Sequence, residues 1–112
     1  MIDFKTAWCK ETAHPAYQAK WSKDNPSAGQ CAVTVLVVQD LYGGDIYSCK
    51  VGRNSHFVNI INDKIVDLTA DQFGGAGKIQ YIDGSFKLRT RESLLKNKDV
   101  LERYRLLCSR LT

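Results

Sequence analysis

The spacing of apolar and polar residues changes in character three times along the chain. A mixed polar and aromatic stretch leads to an apolar run at residues 30–42, then to segments that alternate, and finally to a stretch with helical spacing. Because helices come first, a strand meander follows and a helix closes the chain, the order predicts an α+β fold with a small antiparallel sheet. A length of 112 residues with 44% apolar content suits a single domain over residues 1–112.

The first two regions are both predicted to be helical. Over residues 3–21 we expect a helix that is interrupted before Pro15, since the residue before a proline avoids the helical region. In residues 30–42 the four valines favour a strand. The length of that run, and Gly43 at the position where a helix ends, favour a buried helix. We predict the buried helix, packed on the sheet.

The alternation of apolar and polar residues in the middle of the chain predicts a meander of consecutive strands. The expected strands are residues 45–51, 56–61 and 64–68. Asn62 and Asp63 tolerate a positive φ, so they predict a tight hairpin turn between the second and third strands. A helical turn is expected at residues 70–73, and one or two further short strands are expected near Tyr81 and Leu88.

The C-terminal stretch predicts an amphipathic helix that Asn97 caps and that runs to about Leu111. From residue 86 onward there are eight Lys and Arg residues against three acids, within a net charge of +4. Such an excess can indicate nucleic-acid binding. No recognition motif accompanies it, so we interpret it as a solvated helix face and do not expect a nucleic-acid partner.

Cysteine usage and apolar run lengths bear on the cellular compartment. The first residues carry no apolar signal region, and no apolar run approaches the ~18 residues of a membrane-crossing helix. We therefore expect a cytoplasmic protein without membrane association. None of the four cysteines forms a CxxC pair, so we expect free thiols and no metal site.

Cys31 is the first candidate for chemistry because it lies one residue inside the start of the predicted buried helix. A helix N-terminus favours a thiolate, and its unpaired N–H groups can hold an oxyanion. Gln30 adds a side-chain donor, and Trp21 is a candidate wall of a substrate cleft. The alternative is that Cys31 simply packs, as most cysteines do, and that Trp21 belongs to the core.

His56 and Asp67 are the other two candidates. If residue 61 pairs with residue 64 across the hairpin, His56 lies diagonally opposite Asp67, within reach of a hydrogen bond. An imidazole there can accept the thiol proton and later protonate a leaving group. A carboxylate among apolar residues needs a partner. The alternatives are an ordinary histidine and an aspartate that caps the turn at residues 70–73.

The order of a helix-start Cys31, a strand His56 and an Asp67 on the next strand is similar to the papain/transglutaminase-like core. That resemblance implies a nucleophile, a general base and an orienting carboxylate. A closer resemblance is to the YunG-like family of small bacterial proteins, which implies no particular activity. It is carried by Trp21-Ser22, Asn25-Pro26, Gly29-Gln30-Cys31, Val38-Gln39-Asp40, Gly43-Gly44, Ser55-His56, Asp67-Leu68-Thr69, Gln72-Phe73 and Arg103-Tyr104.

The sequence therefore predicts a small cysteine-dependent hydrolase or acyl transferase that acts on an amide, ester or thioester. Its substrate would be a small molecule or a peptide, and the chemistry needs no cofactor. The alternative is a non-enzymatic bacterial or phage binding module that uses the same cleft for a small ligand or a partner protein.

Overall fold

A computed structural model of the chain describes residues 3–73 and 79–111. Within these residues the helices are α1 (Phe4–Ala7), α2 (Cys31–Tyr42), α3 (Arg91–Leu95) and α4 (Lys98–Leu111). The strands are β1 (Asp45–Val51), β2 (Asn54–Ile61), β3 (Lys64–Val66) and β4 (Lys87–Arg89), and they form an antiparallel sheet in the order β3-β2-β1-β4. Short 3-10 helices span Lys10–Thr12, Pro15–Lys20 and Ala70–Phe73. The predicted α+β class is confirmed.

In the N-terminal segment, residues 3–21, one α-helical turn and two 3-10 helices replace the predicted helix interrupted before Pro15. Asp3 caps the single turn of α1, and the backbone becomes extended at Trp8, with ψ at 140°. The indole of Trp8 is buried, and its Nε1 donates to the hydroxyl of Thr34 on α2 at 2.9 Å. This anchor on another element outweighs local helix propensity.

The buried helix predicted for residues 30–42 is confirmed as α2. Val33 and Val37 pack against Leu107 of α4, while Val35 and Leu36 pack in a second cluster with residues of the sheet and of α3 and α4. Because α2 is covered on two sides, it is apolar around its circumference, and burial overrides the strand preference of its valines. Gly43, with φ at 73°, follows its last residue.

The meander follows the prediction closely. β1 has the predicted bounds, β2 begins two residues earlier than expected, and β3 ends at Val66 instead of residue 68. Asn62 and Asp63 both have positive φ, at 53° and 64°, and Ile61 pairs with Lys64 as predicted. Beyond this hairpin, Tyr81 forms an isolated bridge with Val51 of β1.

The C-terminal helix begins and ends where the sequence predicts. The side-chain oxygen of Asn97 accepts hydrogen bonds from the backbone N–H groups of Asp99 and Val100. Leu107, at the centre of the apolar face, is 0% exposed. Among the described residues, none of the helices has the length and apolar character needed to cross a membrane.

Candidate functional site

The β2–β3 hairpin brings His56 and Asp67 into contact. β3 leaves the ladder after Val66, so the Asp67 carboxylate is free to turn toward the neighbouring strand. His56 Nε2 lies 2.8 Å from Asp67 Oδ2, and His56 is 0% exposed. Because an ionised carboxylate can only accept, Nε2 carries the proton in this bond. The two side chains therefore meet as the predicted register requires.

Asp67 is held by two further residues. The hydroxyl of Tyr81 donates to Oδ2 at 2.7 Å, and both the N–H and the hydroxyl of Thr69 donate to Oδ1 at 3.2 Å. The contacts to Thr69 precede the 3-10 helix Ala70–Phe73, so Asp67 also organises the start of that turn. The two interpretations of Asp67, a partner of His56 and a local turn residue, are compatible.

Tyr81 is a site residue that was not among the residues predicted from the sequence. Tyr81 is placed by its bridge to Val51, a contact between residues far apart in the sequence. An isolated tyrosine in a short predicted strand gives no indication of such a contact. A half-buried tyrosine hydroxyl usually needs a hydrogen-bond partner, but the burial of Tyr81 is established only in the folded chain.

The environment stabilises the charged forms of both His56 and Asp67. Burial alone lowers the pKa of His56, but hydrogen bonds to Asp67 and Cys31, and the charges of those groups, raise it to about 9. Burial alone raises the pKa of Asp67, but the hydrogen bond from His56 and its charge, with help from Tyr81 and Thr69, hold it below the usual value. At neutral pH the pair is therefore an imidazolium and a carboxylate.

Cys31 is the first residue of α2 and is partly exposed. Its side chain is close enough to His56 to contribute both a hydrogen bond and a charge to the raised pKa of the imidazole. Since Nε2 of His56 is bonded to Asp67, Nδ1 is the ring nitrogen left for Cys31. The thiol thus stands between a buried histidine and the N-terminal turn of a helix.

Gln30 and Trp21 are fixed by backbone carbonyls. The Gln30 side chain is fully buried, and its Nε2 donates to the carbonyl of Cys9 at 3.0 Å, without capping α2. Trp21 is half-buried, and its Nε1 donates to the carbonyl of Pro26 at 2.9 Å. Their proposed roles in substrate binding stay predictions, whereas the contacts give both residues a role in anchoring the N-terminal segment.

Cys49 is a second thiol at the site, in addition to the residues predicted for chemistry. It pairs with His56 across the β1–β2 ladder and is buried. Burial, followed by the charges of Asp67 and Cys31, raises the pKa of Cys49 to about 11. Cys49 is therefore a neutral thiol at neutral pH and forms a wall of the site.

The four cysteines are free thiols. In residues 3–73 and 79–111 there is no group of three or more His, Cys, Asp and Glu side chains placed to hold a metal ion. What the site brings together is one partly exposed thiol and one buried, charge-paired imidazole.

The described residues define an α+β fold in which a helix-start cysteine stands beside a buried histidine–aspartate pair. The chain belongs to the YunG family, whose model, described as YunG protein, matches residues 3–112. It is 38% identical over 81 residues to a Bacillus subtilis (strain 168) protein named "Uncharacterized protein YunG", and the match covers 72% of this chain and 66% of that protein. No solved structure matches the chain.

Proposed function

We propose that the chain is a small cysteine-dependent hydrolase or acyl transferase with a papain/transglutaminase-like core, acting on an amide, ester or thioester. Cys31 is the nucleophile, His56 the general base and acid, and Asp67 the residue that orients the imidazole. The observation that carries the proposal is the 2.8 Å bond between the fully buried His56 and Asp67, beside the start of the helix that bears Cys31. The site of action is the cytoplasm, where reducing conditions keep such thiols free.

The charges of the His56–Asp67 pair beside Cys31 suit nucleophilic catalysis. A histidine whose pKa is raised to about 9 is an imidazolium at neutral pH, and its positive charge favours the thiolate form of a neighbouring thiol, so the two side chains can exist as a thiolate and an imidazolium. Burying an ion pair costs free energy, and an apolar pair of similar volume would stabilise the fold as well or better. A buried charged pair beside a reachable thiol is therefore better explained by chemistry than by stability.

The proposed reaction begins when Cys31 Sγ bonds to the acyl carbon and the carbonyl π electrons move to its oxygen. The N–H groups of the first turn of α2 face that oxyanion. As the carbon–leaving-group bond breaks, His56 gives its Nδ1 proton to the departing amine, alcohol or thiol. Water or another acceptor, deprotonated by His56, then attacks the acyl-enzyme and releases Cys31.

The test measures the rate of Cys31 alkylation by iodoacetamide as a function of pH in the parent protein and four variants. Asp67→Asn should shift the profile part of the way toward that of a free cysteine, and His56→Ala should shift it fully. The double variant should be little worse than His56→Ala, because residues that act as a unit are not additive. His14→Ala removes the other histidine and should leave the profile unchanged.

A free-cysteine profile in the folded parent protein would refute the proposal. So would additive effects of His56→Ala and Asp67→Asn. Either result would leave the binding module, in which the same cleft holds a ligand without reacting, as the function to pursue. Circular dichroism on each variant separates a change in thiol reactivity from a loss of fold.

A further inference from the structure

A cavity of about 610 Å³ lies between the sheet and helices α3 and α4. Ala32 and Cys49 contribute to its wall. Ala32 follows Cys31 directly, and Cys49 is the ladder partner of His56. The cavity has the size of a small-molecule site, and its wall lies next to Cys31 along the chain and next to His56 across the ladder, although neither of those side chains lines it.

The charges that line this cavity are predominantly positive. Among the described residues, Lys50, Lys87, Arg89 and Arg103 line it together with a single carboxylate, that of Asp99. Asp99 is paired with Arg103, since Arg103 Nε lies 2.8 Å from Asp99 Oδ2. The other three cations have no carboxylate ion-pair partner among the described residues. The positive electrostatic potential of these side chains favours the binding of an anion in the cavity.

Arg103 lines the cavity, and one of its donors is buried without a partner among the residues that the structure describes. It is only 4% exposed. Its Nε bonds Asp99 and its Nη1 donates to the Thr12 carbonyl at 3.1 Å, but Nη2 has no hydrogen-bond partner in the described part of the chain. A buried donor without a partner is costly. An oxygen of a carboxylate or phosphate is the acceptor that a guanidinium binds best.

We propose that this cavity binds the anionic group, a carboxylate or a phosphate, of a small-molecule substrate. Arg103 is its central ligand, and Lys50, Lys87 and Arg89 supply the surrounding positive field. That the same molecule presents an acyl carbon to Cys31 rests on the proposed function; the anion site itself stands on the cavity and the cations that line it.

The kinetic test compares two alkylating reagents that differ only in charge. Iodoacetate should react faster than iodoacetamide at Cys31, relative to the same ratio in the urea-unfolded protein, by about tenfold. Lys87→Gln or Arg89→Gln should each lower that ratio about twofold, as expected for one charge about 10 Å away in water. Lys64→Gln removes a charge at the opposite edge of the sheet and should leave the ratio unchanged. Peptide mapping assigns the label to Cys31.

The equilibrium test titrates succinate and inorganic phosphate into the protein by calorimetry. At least one should bind with a Kd below about 1 mM, and Arg103→Lys, Lys87→Gln or Arg89→Gln should weaken it while Lys64→Gln does not. Which anion binds tells a carboxylate site from a phosphate site. Binding with a Cys31 that stays inert supports the anion site and refutes the proposed catalysis. No binding of either anion, or equal weakening by Lys64→Gln, overturns the anion site and leaves the thiol chemistry untouched.

Discussion

The buried His56–Asp67 pair predicts that the free energy of unfolding falls as the pH rises through neutrality. The pKa of His56 is raised from 6.5 to about 9 in the folded protein, so the folded state holds this proton more tightly than the unfolded chain does. The stabilisation is fully present below the unfolded value of 6.5 and is lost as the pH rises through about 9. At about 1.4 kcal/mol per pKa unit, the difference is worth about 3 kcal/mol.

Urea unfolding between about pH 6 and about pH 9 measures this loss. The parent protein should lose about 3 kcal/mol more across the interval than His56→Gln, which has no imidazole at this position. His14→Gln is the matched control, because it removes the other histidine and should keep the full loss. Cys49, whose pKa is raised to about 11, contributes equally to all three proteins, so the comparison isolates His56.

Two more variants separate the contributions of Asp67 and Cys31 to the pH dependence of the free energy of unfolding. Asp67 and Cys31 each raise the pKa of His56 through a hydrogen bond and through their charge, and the hydrogen bond to Asp67 is the largest of these contributions. Asp67→Asn and Cys31→Ala should therefore each remove part of the pH dependence. Parallel stability profiles for the parent protein and His56→Gln would refute the linkage, and with it the view that the imidazole is held in its charged form.

Three other outcomes test the site and the core. With limiting iodoacetamide near pH 6.5, peptide mapping should show Cys31 labelled first and the buried Cys49 last; preferential labelling of another cysteine would count against the assignment. Leu107→Ala should cost about 2–5 kcal/mol in a denaturant melt, whereas the adjacent Leu106, 37% exposed, should cost much less when truncated, and equal costs would contradict the packing. Tyr81→Phe should cost about 1.5–3 kcal/mol, the range for a hydrogen bond to a charged group; an unchanged melt would show that the bond contributes nothing.

The fold was predictable wherever local signals agree with burial. The glycine after α2 and the Asn62-Asp63 turn each require a positive φ, so they mark where elements end. The N-terminal segment was not predictable in this way. The buried indole of Trp8 and its bond to Thr34 fix the backbone there, and such a contact leaves no trace in the spacing of residues 3–21.

For Arg103, the interpretation of the C-terminal basic residues as a solvated helix face is wrong. In the sequence it is one of several basic residues in the C-terminal helix, which we interpreted as a solvated face. It is instead buried, held by Asp99 and by the carbonyl of Thr12, which lies 91 residues away in sequence. Arginine spacing alone cannot distinguish a solvated side chain from one that passes beneath the N-terminal segment, because that segment covers it only in the folded chain.

The contact between His56 and Asp67 was predictable because a tight hairpin determines its register. Once Ile61 pairs with Lys64, every later pair follows, and a shift of one residue would turn His56 to the opposite face of the sheet. Asp67 needs more than register, however. It lies just past the last residue of β3, where no ladder bond fixes the backbone, so its carboxylate could turn away from His56 at little cost. The hydrogen bonds from Thr69 and Tyr81 remove that freedom. The orientation of the imidazole therefore depends on Tyr81, a residue brought in from a distant part of the chain, and not on the hairpin alone.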